Sequence, residues 1–148
     1  MLQLNQETVA QLVRWASKHP TIEVTGIVAR SRGHERVLPM RNTAAQPDRY
    51  YAWDAAEMRD QYSDMDLNGE EPVAFYHSHP NGRSAPSEAD MEGALNPGMH
   101  YVIVYPEAHE LTSGMSDIPL RIYKVWSISA WECIDHGILV GAELVVVP

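Results

Sequence analysis

The chain has 148 residues, 45% of them hydrophobic and 21% charged, and a net charge of −9. That length suits one domain with an ordinary buried core, and the acidic balance argues against nucleic acid as a partner. The single cysteine, Cys133, excludes an intramolecular disulfide and a thiolate metal cluster, which fits a reducing compartment. The segment Met1-Leu2-Gln3-Leu4-Asn5-Gln6-Glu7 lacks the basic and apolar regions of a signal peptide. No stretch reaches the length that spans a bilayer. The expectation is a cytoplasmic protein with no membrane partner, of open oligomeric state.

In chain order, Asn5 stands where a helix cap is expected, and Val9, Leu12, Val13 and Ala16 follow at helical spacing. His19-Pro20 ends that helix, because a residue before proline avoids the helical region. Residues 23–29 are short, apolar and β-branched and read as a strand containing Gly26; Gly33 then turns the chain into a hairpin partner over 35–40. Residues 41–51 show no period and are expected as loop or edge strand. A second helix is marked by Asp54 and Glu57 at capping-box spacing and by Trp53 and Met58 at staple spacing. Its stripe Met58, Tyr62, Met65 reads as core, and Asn68-Gly69 closes it. The acidic residues Asp64, Asp66, Glu70 and Glu71 read as a solvated helix end and loop.

An apolar strand over 72–79 follows, then a polar loop, then a short helix over 87–95 stopped by Asn96-Pro97-Gly98. Strands are expected at 100–105, 121–128, 131–135 and 144–147, with 106–116 as a long polar loop. Helices interleaved with strand hairpins and no repeat or linker indicate one α/β domain with a mixed sheet flanked by helices.

The chemistry concentrates at His77-Ser78-His79-Pro80, followed by Ser87 and Asp90. Residues i and i+2 of a strand share a face, so His77 and His79 can reach one point. Asp90 falls in the first turn of the next helix and can face back to them. Two imidazoles and one carboxylate make a three-ligand zinc set with an open fourth position, the catalytic arrangement. Zinc there, one per chain, would lower the pKa of a coordinated water to roughly 7. Glu23, a carboxylate at the start of an apolar strand, is the candidate general base, and Ser87 could donate to an oxyanion by its position.

Plainer readings exist for each residue. Ser87 and Asp90 have the spacing of a capping box and could simply start a helix. Glu23 taken alone is most simply an exposed strand-end carboxylate. The joint pattern carries the argument, since capping explains neither histidine. His19, His34, His109 and His136 sit near turns or helix ends and read as solvated, while His100 begins a strand and is the one other histidine open to a place near the site. Cys133 reads as a small core residue.

These residues match the H-x-H-x7-S-x2-D motif of the JAMM (MPN+, Mov34/PAD-1) zinc metalloproteases, and Glu23-Val24-Thr25-Gly26 resembles the segment that carries that family's glutamate. The element order is similar to the family's cytidine-deaminase-like α/β fold across residues 1–148. The resemblance implies His77, His79 and Asp90 as zinc ligands, Glu23 as general acid/base, and Ser87 at the oxyanion. It implies hydrolysis of a peptide or isopeptide bond after the C-terminal tail of a ubiquitin-like protein, with short prokaryotic members processing small sulfur carriers. The chain departs from many bacterial relatives at Thr25, where they have Cys, and at Arg30, where they have Gly; neither is a ligand. The alternatives are a non-catalytic MPN scaffold in a larger assembly, and a RadC-like DNA-associated relative, whose H-x-H-P…P-S-x-x-D run Pro86 also fits.

Overall fold

Alternation along one strand sets the layering of the molecule. The computed structural model describes residues 1–112 and 119–148. In the strand Glu71–Ser78, Ala74 and Tyr76 join a core with Leu12, Ala16, Val28, Val102 and Val104, on the side of the N-terminal helix. Phe75 joins a second core with Ile27, Leu38, Met65, Tyr101 and Cys133 on the other side. Both faces are covered, which is why this segment is almost continuously apolar rather than alternating.

The elements run β1 (Leu2–Asn5), α1 (Gln6–Lys18), β2 (Thr25–Ser31), β3 (His34–Met40), α2 (Ala55–Leu67), β4 (Glu71–Ser78), α3 (Glu88–Glu92), β5 (His100–Thr112), β6 (Pro119–Asp135), β7 (Ile138–Ala142) and β8 (Leu144–Val147). Six strands form one mixed sheet in the order β3-β2-β4-β5-β6-β7, in which only β4 and β5 are parallel. β1 and β8 pair in parallel as a separate small sheet. A parallel pair needs a crossover connection. Here it leaves the C-terminal end of β4 and carries α3, and crevices at the carboxyl ends of such strands are where ligands bind.

The expected α1 stripe is the one that packs: Leu12 and Ala16 are buried, with Val9 and Val13 against the same core. Asn5 holds the cap position, but its side chain makes no cap bond; its Nδ2 donates to the Gly33 carbonyl instead. At α2, Asp54 accepts the Glu57 N–H. The reciprocal half of the capping box is absent among the described residues, and Glu57 accepts the Arg41 N–H.

Several expectations are corrected. β2 begins at Thr25, so Glu23 and Val24 precede it. The segments 121–128 and 131–135 are one strand, β6, and 106–112 continue β5 rather than looping. The β5–β6 hairpin explains this, because its backbone ladder pairs Glu107 with Val125 and Ala108 with Lys124 whatever the polarity of the side chains. Ser113-Gly114 lies outside the described residues. β1 and β7 were not expected; each is short and completed by a distant or neighbouring partner. In α2 only Met65 is core, at 1% exposure, whereas Met58 and Tyr62 are 37% and 36% exposed. Their half of the helix lines a groove of about 510 Å³ with Tyr51, Trp53 and Tyr101, and the groove reaches Asp90. Asp64 and Glu70, read as solvated, both pair with Arg36 of β3 and tie the end of α2 to the sheet. Thr25 is fully buried and accepts the Trp53 indole N–H, and Arg30 is paired with Glu35.

Candidate metal centre

His77 lies near the end of β4 on the Phe75 face, directly opposite Thr25 in the register with β2. His79 follows just past the strand, and its N–H donates to the Val104 carbonyl, extending the ladder to β5 by one residue. The strand period therefore persists across both histidines and aims the two rings at one point. The Nε2 atoms are 3.0 Å apart, and Asp90 Oδ2 lies 3.0 Å from His77 Nε2 and 2.9 Å from His79 Nε2.

Asp90 reaches this point because its helix is capped. Ser87 Oγ accepts the Asp90 N–H at 3.0 Å, and Asp90 Oδ2 accepts the Ser87 N–H at 2.9 Å. The capping box is real, and the same carboxylate oxygen faces both histidines. The two readings of Ser87 and Asp90 are thus compatible. Ser87 Oγ makes no donated bond among the described residues, so its O–H is available to a ligand.

The donor chemistry fits a cation. His79 Nδ1 lies 2.8 Å from the Arg83 carbonyl, which can only accept, so the ring proton sits on Nδ1 and the Nε2 lone pair faces the cluster. That lone pair meets a second imidazole nitrogen and a carboxylate oxygen at about 3 Å, a set of groups that a small cation, or a proton shared with Asp90, satisfies. Donors about 2.0–2.1 Å from zinc in a tetrahedral set stand roughly 3.3 Å apart, close to these separations. His77 Nδ1 has no hydrogen-bond partner among the described residues; that ring is held by stacking against Tyr51, at 4.5 Å between centroids and 28° between planes.

Glu23 is 3% exposed, not the exposed strand-end carboxylate of the plainer reading. Its ligand oxygen, the ring nitrogens of His77 and His79 and the Asp90 oxygen all lie within 4.8 Å of one another, and its Oε1 has no hydrogen-bond partner among the described residues. Burial pushes its carboxyl up to about 7, with His79 opposing and Asp90 and Asp48 adding to the rise. Burial would also raise Asp90, but His77 and His79 hold its carboxyl well below the usual carboxylate range. Burial lowers His77 against the pull of Asp90. For His79 burial also acts downward, but Asp90 and the Arg83 carbonyl outweigh it and the ring is raised.

All five expected site residues thus converge. His100 does not join them: it opens β5 beside Ala74, while the cluster lies beyond the other end of this parallel pair. His34 and His136 are exposed, His19 Nδ1 bonds the Trp15 carbonyl, and Cys133 is buried. Sequence reasoning missed Tyr51 and the loop that holds it. The aromatic run Tyr50-Tyr51-Ala52-Trp53, in a stretch without period, was the available signal.

A buried pair of histidines, an aspartate on the crossover helix and a desolvated glutamate just before the adjoining strand form a group that could hold a metal ion, on a mixed α/β sheet. Residues 5–116 match the family described as prokaryotic homologs of the JAB domain, and the chain belongs to that family. A CysO-cysteine peptidase of Mycobacterium tuberculosis is 33% identical over 119 residues, which cover 76% of this chain and 81% of the relative. A desampylase of Haloferax volcanii is 36% identical over 104 residues, covering 66% and 75%. The solution structure of a protein from Desulfitobacterium hafniense matches the fold with a TM-score of 0.73 at 21% identity, over 99% of this chain and 92% of that one.

Proposed function

We propose that the protein is a zinc-dependent peptidase, residues 1–148 forming one JAB-type domain, that cleaves the bond after the C-terminal tail of a ubiquitin-like or sulfur-carrier protein. The observation that carries this reading is the desolvated, unpartnered carboxyl of Glu23 beside three donors that share one point. The substrate class rests on the family and on relatives named for peptidase and desampylase activity.

In this reading His77, His79 and Asp90 hold one zinc per chain. Zinc, when bound, supplies Lewis acidity to the scissile carbonyl and makes water a usable nucleophile near neutral pH. Glu23 takes a proton from the attacking water at its free Oε1 and returns it to the leaving amine. A carboxyl pushed up to about 7 suits both transfers, because acid/base catalysis is most effective with a pKa near the working pH. The Ser87 O–H points its proton at the developing oxyanion, while its Oγ keeps Asp90 in place. Tyr51 shields His77 from water on its open face. No helix among the described residues is long and apolar enough to cross a membrane, and a cytoplasmic site of action fits the lone buried cysteine.

The test is incubation with ubiquitin-like and sulfur-carrier fusions, linear and isopeptide-linked, with and without a chelator, products being read by mass. Cleavage after the carrier tail that chelation abolishes and zinc restores is expected, with loss of cleavage but retained zinc in Glu23→Ala. Stoichiometric zinc with no cleavage of any fusion overturns the enzymatic reading in favour of a scaffold. Tight, salt-sensitive DNA binding would overturn the choice of partner.

A further inference from the structure

We propose that Asn42 is a positioning residue of this centre: its side-chain amide fixes Glu23 and Tyr51 against the His77, His79 and Asp90 cluster. The inference rests on the catalytic reading of Glu23 given above.

An asparagine amide offers two N–H donors and a carbonyl with two lone pairs. In Asn42 all of this capacity is used on main chain. Nδ2 donates to the Glu23 carbonyl at 2.9 Å and to the Tyr50 carbonyl at 2.9 Å, with the Pro47 carbonyl a longer 3.4 Å away. Oδ1 accepts the Ala44 N–H at 3.0 Å and the Ala52 N–H at 3.2 Å. The loop between β3 and α2 has no strand ladder or helix of its own. One side chain therefore supplies much of what an element would supply, in a segment whose backbone groups must be paired somewhere.

The partners of Asn42 are what give it a role in the site. Tyr50 and Ala52 flank Tyr51, so gripping both fixes the residue between them, whose ring stacks on His77. The Glu23 carbonyl is bonded to Asn42, and the Glu23 N–H donates to Pro47 in the same loop at 2.7 Å. Glu23 precedes β2 and has no place in the sheet register. Both of its backbone groups end on this loop, which Asn42 braces together with the loop's own bonds from Thr43 to the Ala52 carbonyl and from Tyr50 to the Gln46 carbonyl. Aspartate at this position keeps the two accepted bonds but cannot donate, and it would turn an oxygen toward the Glu23 and Tyr50 carbonyls. The requirement is for an amide, not merely for a polar residue.

The experiment compares Asn42→Asp and Asn42→Ala with the parent chain in two independent ways. In the metal-free protein, amide hydrogen exchange at Glu23 is expected to quicken about tenfold or more in both variants, and at Ala52 in Asn42→Ala, which loses the accepted bond, while Ile27 and Phe75 in the sheet keep their protection. With zinc at saturation and a cleavable ubiquitin-like fusion, kcat is expected to fall about 10- to 100-fold, with KM within about threefold and zinc stoichiometry unchanged. In a Glu23→Gln background the Asn42→Asp substitution should lower the residual rate by a smaller factor than in the parent chain, since part of its effect passes through that residue. Unchanged exchange at Glu23, exchange that quickens uniformly across the sheet, a parental kcat in Asn42→Asp, or full additivity with Glu23→Gln each overturns the proposal. If the parent chain cleaves no fusion, the enzymatic reading fails, and the exchange measurement still decides whether Asn42 holds Glu23.

Discussion

Replacing Glu23 by glutamine in the metal-free protein removes one buried titration while leaving the side chain's shape intact. The carboxyl is pushed from 4.5 in its ordinary state to about 7 in the folded chain, chiefly by burial. A raised folded-state value means that the folded form holds the proton more tightly than the unfolded form. The resulting stabilisation is fully present below 4.5 and is lost as pH rises through about 7. At about 1.4 kcal/mol per pKa unit the full effect is roughly 3 kcal/mol, of which about 2.5 kcal/mol falls between pH 5 and pH 8. Glu23→Gln does not titrate, so the parent chain should lose about that much stability relative to the variant over this interval. Urea unfolding of both chains at the two pH values, in chelator so that metal binding adds nothing to the folded state, gives the difference directly. His79 and Asp90 are present in both chains, although the part of the His79 rise that comes from the Glu23 charge is lost in the variant. Parallel stabilities at pH 5 and pH 8, or a parent that gains on the variant as pH rises, would refute the desolvated carboxyl and with it the physical case for Glu23 as the base.

Three further outcomes are expected. Ser87→Ala removes one half of the capping box, lowering stability by about 1 kcal/mol in urea unfolding; a simultaneous fall of about 10²-fold in kcat with zinc retained marks the oxyanion role, whereas a cap alone leaves kcat unchanged. Tyr51→Ala strips the ring from His77 and should weaken zinc binding about fivefold in a competition titration, while Tyr51→Phe retains the stack and the affinity. Gly26→Ala places a Cβ against the Leu38 carbonyl oxygen and the buried Tyr76 phenol. Because the first of these is backbone, β2 and β3 must separate, and thermal and urea unfolding should show a loss of about 3 kcal/mol.

The parts of the site that were legible follow local rules. The spacing of His77 and His79 needs only the two-residue period of a strand, and Ser87 with Asp90 needs only the geometry of a helix N-terminus. The α1 stripe, the Gly33 turn and the closure of α2 at Asn68 are equally local. Errors began where a decision belonged to a partner elsewhere in the chain. The α2 stripe had the right period, but the sheet takes up only its Met65 end and leaves Met58 and Tyr62 on a groove. Polar residues after Tyr105 resemble a loop until the opposing strand β6 is present to pair with them.

Glu23 shows the division most clearly. Its sequence neighbours suggest a strand end and say nothing about burial or direction. Pairing of Thr25 with His77 brings it to the cluster, and Asn42 and Pro47 fasten its backbone. Sequence by itself determined which donor types exist, that two of them share a strand face, and that a capped helix presents the third. Only the tertiary structure decided that a fourth donor, the Glu23 carboxylate, would lie beside them without a partner, that Tyr51 would cover His77, and that one asparagine would hold both. Periodicity and capping act over a few residues and are written into them. Burial, desolvation and the shape of an aperiodic loop arise between segments tens of residues apart, and they exist only once the sheet has formed.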